Sequence, residues 1–366
     1  MVRVLVVAAG GGGDAISGSV VGRALEGVDV VGVMGFSWDR LMLDPDPGPR
    51  VAGDFEGLVE PAPGVFEIVA GAVLRNGGLA TLPGLVSVLP DRLLLLDPVG
   101  GAVGLGRQIG AAARGFGAQE IVVVDVGGDV LATGREAGLR TPLADSLALA
   151  AAIGTGLTVR LLVAGVGLDG ELTDAELGER LSAHSGVIRM VLEATNFERL
   201  YPLFEWHPSE ANGLLAAAAG GVRGKVETRQ GRTWVELTDA SAAVHEVDSG
   251  LVFEGSLAAH LAGTRSLDEA EEVVRRYRGT TEIDFERKRF SDLASEPSVE
   301  PTTESLVEID RYVERAREAG IDYLTIRRVA ELVRAKDPAT GAQLRKMLAR
   351  KRPERYVPPL YRVRGP

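Results

Sequence analysis

The 366-residue sequence contains no cysteine. That excludes disulfides, thiolate metal centres and cysteine nucleophiles. Histidine is scarce: His184, His207, His245 and His260 lie far apart. None of them pairs at metal-ligand spacing, which argues against a zinc enzyme. A metal in this chain would be a hard cation held by carboxylates. No apolar run reaches the ~18 residues of a membrane span, and no basic stretch leads into a long apolar core as in a signal peptide. The first strand pattern starts at Val2, and the expected location is cytoplasmic. Asparagine (3) and glutamine (4) are rare, a depletion that fits a heat-stable protein. Arginine (35) far outnumbers lysine (5), which is read as codon bias. The formal charge of −11 argues against general nucleic-acid binding.

What is present is glycine, aspartate and branched apolar residues in alternating blocks. Strands are expected at 2–8, 29–34, 65–70, 92–96, 120–125 and 158–164, with helices near 15–26, 102–116, 141–153 and 173–184. Continuous apolar runs such as "LLLL" (93–96) and "IVVV" (121–124) suit strands buried on both faces of a parallel sheet. The alternation predicts an α/β fold, Rossmann-like and doubly wound, over residues 1–190. Residues 65–88 are less regular and read as a hairpin or edge excursion. An α+β region (191–290) completes the core: 187–220 reads as helical around "EWHPSEAN", and 224–255 as an antiparallel meander. "RSLDEAEEVVRRY" (265–277) is a helix with a Ser266 to Glu269 capping box. "TEIDFERK" (281–288) suits a salt-bridge network, and 291–302 is a linker by composition. From Pro301 onward the chain carries a net +6 on two or three expected amphipathic helices, against −17 for the remainder. Such a basic tail predicts intramolecular docking or a homo-oligomer contact.

Ligands of open parallel sheets sit beyond the C-terminal strand ends. Five of the six predicted strand ends carry glycine with aspartate: "GGGGD" (10–14), "GFSWDRLMLDPDPGPR" (35–50), "DPVGG" (97–101), "DVGGDVLATGRE" (125–136) and "GVGLDGEL" (165–172). Glycines Gly10, Gly11, Gly12, Gly13, Gly127 and Gly128 let backbone N–H groups approach an anion. Aspartates beside an anion are unfavourable unless a cation such as Mg²⁺ or Mn²⁺ lies between them. Asp14, Asp125 and Asp129 are therefore the candidate metal ligands, and Asp125, Asp129 and His207 the candidate acids, bases or catalytic groups. Arg40 and Arg135, with Arg50 and Arg140, are candidate clamps for an anionic small-molecule substrate. The first loop is not a Walker loop and is not a clean dinucleotide fingerprint. Structural readings stand beside these: Asp14 favouring a helix N-terminus, Asp97 initiating a turn, Asp169 and Glu171 leading into the next helix, and Trp38 with Phe36 in the core.

"GGGGD", "PGPR" after "GFSWDR", "DVGGDVLATGREAGLRTPLADS", "EWHPSEAN" with "VELTDASA", and "GTRSLDEAE…TEIDFER" occur here in order. Together they resemble an uncharacterised, mostly archaeal domain-of-unknown-function family, number eleven fifty-two, over residues 1–290. The resemblance implies no residue roles. The "DVGGD"-type loops also resemble, more faintly, those of the D-glutamate cyclase family. The first expectation is a metal-dependent enzyme on a phosphorylated or nucleotide-like ligand, its chemistry open among phosphoryl transfer, lyase and isomerase reactions. The alternatives are a lyase or cyclase on an acidic metabolite, and a non-catalytic ligand-binding or assembly protein.

Overall fold

The structure, a computed structural model, describes residues 1–229, 234–293 and 297–364, with backbone alone for 291–293. The central sheet has nine strands: β1 (Val2–Ala9), β2 (Val28–Gly35), β3 (Val59–Ala62), β4 (Val65–Glu67), β5 (Leu93–Leu95), β6 (Glu120–Val126), β7 (Thr158–Ala164), β8 (Val187–Val191) and β9 (Ala243–Val247). Their order is β8-β9-β7-β6-β1-β2-β5-β4-β3. The five middle strands, β5-β2-β1-β6-β7, are parallel, and the outer pairs are antiparallel. The chain is thus mixed α/β, with a large, mostly parallel sheet.

The apolar runs have the cause that the sequence predicts. Alternate residues of one strand enter opposite cores. Val4, Val6, Val122 and Val124 pack towards helices Asp14–Ala24 and Glu210–Ala219. Leu5, Val7, Ile121 and Val123 pack towards Gly101–Phe116 and Pro142–Ile153. With both faces covered, no strand position in the middle of the sheet is left for a polar residue until the strand ends.

Three expectations change. Residues 187–191 form an edge strand, not a helix, because "VIRMV" pairs antiparallel with β9. The 224–255 meander does not stay together. Its part at 230–233 lies outside the described residues, Ala243–Val247 leaves to join the central sheet between β7 and β8, and Ser249–Gly255 is helical. The strand expected at 65–70 stops at Glu67 and is the second arm of a hairpin whose first arm, β3, precedes it. Residues 294–296 of the expected linker also lie outside the described residues.

The tail is more than helices. Thr303–Glu318, Ile326–Leu332 and Pro338–Lys351 are helical, and Tyr323–Thr325, Tyr356–Val357 and Leu360–Arg362 are short strands. Leu306, Ile309, Leu344, Leu348 and Tyr361 enclose a core separate from the two beside the central sheet. The module docks on its own chain. Tyr323–Thr325 pairs parallel with Gly224–Glu227, which extends a second, mostly antiparallel sheet that also holds Trp234–Leu237. Leu344 is fully buried there, so Leu344→Ala is expected to cost about 2–5 kcal/mol, read as a lower denaturation midpoint. Among the described residues, no helix is long and apolar enough to cross a membrane.

Candidate active site

The site is built by strand register. Ala9, the last residue of β1, lies beside Asp125 of β6, and Asp125 lies beside Val163 of β7. The loops that follow β1, β6 and β7 therefore leave the sheet side by side. They line a cavity of about 210 Å³ together with residues from the 35–50 and 205–212 segments.

After β1, Gly10 takes φ +122, and a Cβ there would overlap the Asp14 carboxylate and lie 3.5 Å from Asp145 Oδ1. At Gly13 a Cβ would come within 2.7 Å of Ser209 Cβ and 3.2 Å of His207 Cε1. At Gly12 it would meet Thr81 Oγ1 at 3.0 Å and Asp39 Oδ1 at 3.3 Å. Close approach by neighbouring side chains thus accounts for three of the four glycines. Gly12 N–H donates to Trp38 O and Asp14 N–H to Gly11 O. Asp14 opens helix Asp14–Ala24, where the N-terminal dipole favours a carboxylate, and its Oδ1 accepts from Asn212 Nδ2 at 3.3 Å.

After β6, Gly127 and Gly128 take φ +112 and +116 and swing the chain so that Asp129 faces back towards Asp125. Neither glycine lines the cavity. Gly127 gives room for the Asp169 carboxylate, and Gly128 for Leu177. Asp129 Oδ2 accepts from Thr141 Oγ1 at 3.0 Å, while among the described residues its Oδ1 meets no hydrogen-bond donor. Among the described residues, neither oxygen of Asp125 has a donor in hydrogen-bond geometry. Its polar neighbours are the Asp145 carboxyl and the Gly128 N–H, and Asp129 and Asp169 form a similar carboxyl pair. Two carboxyls can lie together only by sharing a proton or a cation.

Asp14, Asp125, Asp129, Asp145 and Asp169 make an inner ring with few donors. The outer carboxylates are better held. Asp39 accepts from Thr81 N and Oγ1 at 2.9 and 2.7 Å. Glu286 accepts from Trp38 Nε1 and Gly48 N at 2.9 and 2.8 Å. Glu171 accepts from the N–H groups of Arg140 and Thr141 at 2.5 and 3.0 Å and lies 3.6 Å from Arg229. Glu282 accepts from Leu143 N. Glu210 accepts from Thr325 Oγ1 at 2.6 Å and Arg229 N at 3.2 Å, with Arg327 at 3.4 Å. Two of its partners thus come from the C-terminal module.

Burial raises every inner aspartate first, and mutual repulsion adds to it. Asp14, Asp129 and Asp145 are raised well above the usual carboxylate range. Asp125 is pushed up to about 8 and Asp169 to about 7. Unfolding returns these groups to about 3.9, so the folded state keeps protons that the unfolded chain has released. That contribution to stability is complete below pH ~4 and is lost as pH rises through about 8. The metal-free protein is therefore expected to melt lower at pH 8 than at pH 5. Thermal scans at the two pH values check this, and a flat or rising midpoint contradicts it.

The structure brings together Asp14, Asp125, Asp129, Gly10–Gly13, Arg40 and His207 from the sequence reading, with Asp169 and Glu171. It separates others. Arg135 is exposed, stacks on Tyr277 4.7 Å from the ring centroid and bonds its hydroxyl. Arg140 contributes only its backbone N–H. Arg50 is consumed by Asp44 and by the carbonyls of Asp46, Pro47 and Gly48. Asp97 caps a short turn by accepting from Val99 N. Phe36 is core, but Trp38 lines the cavity. Sequence reasoning missed Asp145, although a lone carboxylate in the otherwise apolar "PLADSLALAAAI" was a usable signal. It also missed Arg229, Glu282 and Glu286, which had none. Among the described residues, no group of three or more His, Asp or Glu side chains already has the arrangement of a metal centre.

A family model described as protein of unknown function (DUF1152) matches residues 5–290. The chain belongs to that family. No curated protein and no solved structure matches it. The family's span holds every residue that lines the cavity. The module beyond 290 reaches it through Glu210, which Thr325 and Arg327 hold.

Proposed function

We propose that the protein is a divalent-metal-dependent enzyme acting on a phosphorylated or nucleotide-like small molecule. The observation that carries this is the inner ring: four of its aspartates line one cavity and Asp125 pairs with one of them, Asp145, so that two pairs stand carboxyl against carboxyl, with no guanidinium bonded among them in the described residues. A hard cation such as Mg²⁺ or Mn²⁺ relieves that repulsion and prefers carboxylate and phosphate oxygens. Asp14, Asp125 and Asp129, joined by Asp145 and Asp169, would hold it, and its chemistry would be to polarise and neutralise a phosphoryl oxygen. Arg40, in the same cavity, would bind the ligand's anionic end. The order of the parallel strands, third-second-first-fourth-fifth in chain sequence, supports a Rossmann-like reading. The cavity then lies where such sheets reverse their winding, beside β1 and β6. Calorimetry with Mn²⁺ and a panel of nucleotides and sugar phosphates tests the proposal. Binding that needs both the metal and Asp125 is expected. Binding indifferent to EDTA refutes it.

A second reading has its own support, since no ready metal centre is present among the described residues. The paired carboxyls would share protons and serve as acid and base in a lyase or cyclase reaction on an acidic metabolite, with Arg40 holding the substrate carboxylate. Hydroxy and amino acids would then bind in EDTA, and nucleotides would not.

A further inference from the structure

His207 is 5 % exposed and lines the cavity. Its Nδ1 accepts the N–H of Ser209 at 3.2 Å. An acceptor nitrogen carries no proton, so the neutral ring holds its proton on Nε2. That Nε2 is buried and has no partner among the described residues. The ring's Cε1 edge lies against Gly13, and the tight approach there fixes the orientation of the imidazole. A buried donor left without an acceptor costs stability, so its retention in a cavity points to an acceptor brought by a ligand.

Arg40 is the second unpaired donor. Its side chain lines the same cavity, half-buried, and makes no hydrogen bond or ion pair among the described residues. Arg229 and Arg327 are near enough to disfavour its charge, behind burial as the main cause, while Glu210 and Glu286 partly offset them. The guanidinium in turn helps burial to hold His207 far below its usual range, at about 3. Cation and imidazole thus discourage a second proton on the ring while both offer N–H groups.

We infer that Nε2–H of His207 and the guanidinium of Arg40 form an oxyanion subsite that takes a phosphate or carboxylate oxygen of the ligand, with His207 a neutral donor and not a general base. This replaces the acid–base role expected from the sequence. It rests on the reading that the cavity binds an anionic small molecule, but not on the metal. Neutral imidazole serving as a hydrogen-bond donor to a developing or resident oxyanion is an established mode of catalysis.

The test uses the full chain with ¹⁵N-labelled histidine, in EDTA, titrated with inorganic phosphate and separately with acetate. Long-range ¹⁵N–¹H spectra are expected to show the Nε2–H tautomer for His207 and a shift of that proton on anion binding. His207→Phe and Arg40→Ala are expected to weaken binding at least ~10-fold, and His207→Gln to recover most of it. Tighter phosphate than acetate assigns a phosphate ligand, and the reverse a carboxylate; either order supports the subsite. A proton on Nδ1, or anion affinity indifferent to both deletions, overturns it. If His207→Phe does not fold, the wild-type spectra and His207→Gln decide. Loss of Mn²⁺ binding with anion binding intact would refute the metal reading alone. Mn²⁺ binding without the anion response would refute the subsite alone.

Discussion

Asp125→Asn is expected to make the metal-free protein more stable at pH 8 while abolishing its response to divalent cations. Asp125 is 1 % exposed, and among the described residues its polar neighbours are the Asp145 carboxyl and the Gly128 N–H, neither in good hydrogen-bond geometry. Burial, and then Asp169 and Asp14, push Asp125 up to about 8; near pH 4 the folded and the unfolded chain both keep much of that proton, so an amide of the same shape changes little there. At pH 8 the wild-type ring must either carry a buried charge or keep protons against the solvent. The amide does neither. One pKa unit corresponds to about 1.4 kcal/mol, so a gain of ~1–3 kcal/mol at pH 8 that shrinks towards zero near pH 4 is the expected signature. Urea titrations at both pH values read it. Saturating Mn²⁺ should stabilise the wild type, by about 2.7 kcal/mol at a hundredfold excess over Kd, and leave the variant unmoved. Equal destabilisation of the variant at both pH values would mark Asp125 as a structural acceptor and remove the main support for a metal.

The second large effect belongs to Gly127→Ala. Its φ of +112 is a conformation that side chains rarely adopt, and a Cβ there would overlap the Asp169 carboxylate. Backbone strain of ~1–3 kcal/mol adds to the displacement of Asp169, for a total of about 3–5 kcal/mol. Gly156 is the control. It has φ +72 but open space around its Cβ position, so alanine there should cost only about 1 kcal/mol. Denaturation midpoints of the two variants give the comparison. If Gly127→Ala costs no more than Gly156→Ala, the turn after β6 is softer than described and Asp169 is not held by it.

The sequence made the parallel layer legible because burial on both faces forces continuous apolar runs, as in "IVVV". The loop aspartates were legible for the same reason: a carboxylate cannot sit in such a strand and must mark its end. Asp145 was hidden because its helix is buried all round, so helical periodicity gave no face to assign it to. Arg135 misled because its partner, Tyr277, lies far along the chain, and nothing local distinguishes an arginine stacked on a ring from one turned to a ligand. The segment 187–191 was misread because an edge strand with exposed Val187, Ile188 and Val191 lacks the alternation of a half-buried one. The glycine run was read for its backbone N–H groups, yet Gly10, Gly12 and Gly13 are explained by what their missing side chains let in.

The parallel pairing of Gly224–Glu227 with Tyr323–Thr325 has a consequence in time. A ribosome adding ~5–20 residues per second finishes the first strand roughly 5–20 s before the second exists. During that interval Val226 has its local hairpin partner, Val235, but its other edge is open to any strand that comes near. The nascent chain must carry that open edge, a recognised risk for mispairing, until Tyr323–Thr325 is made.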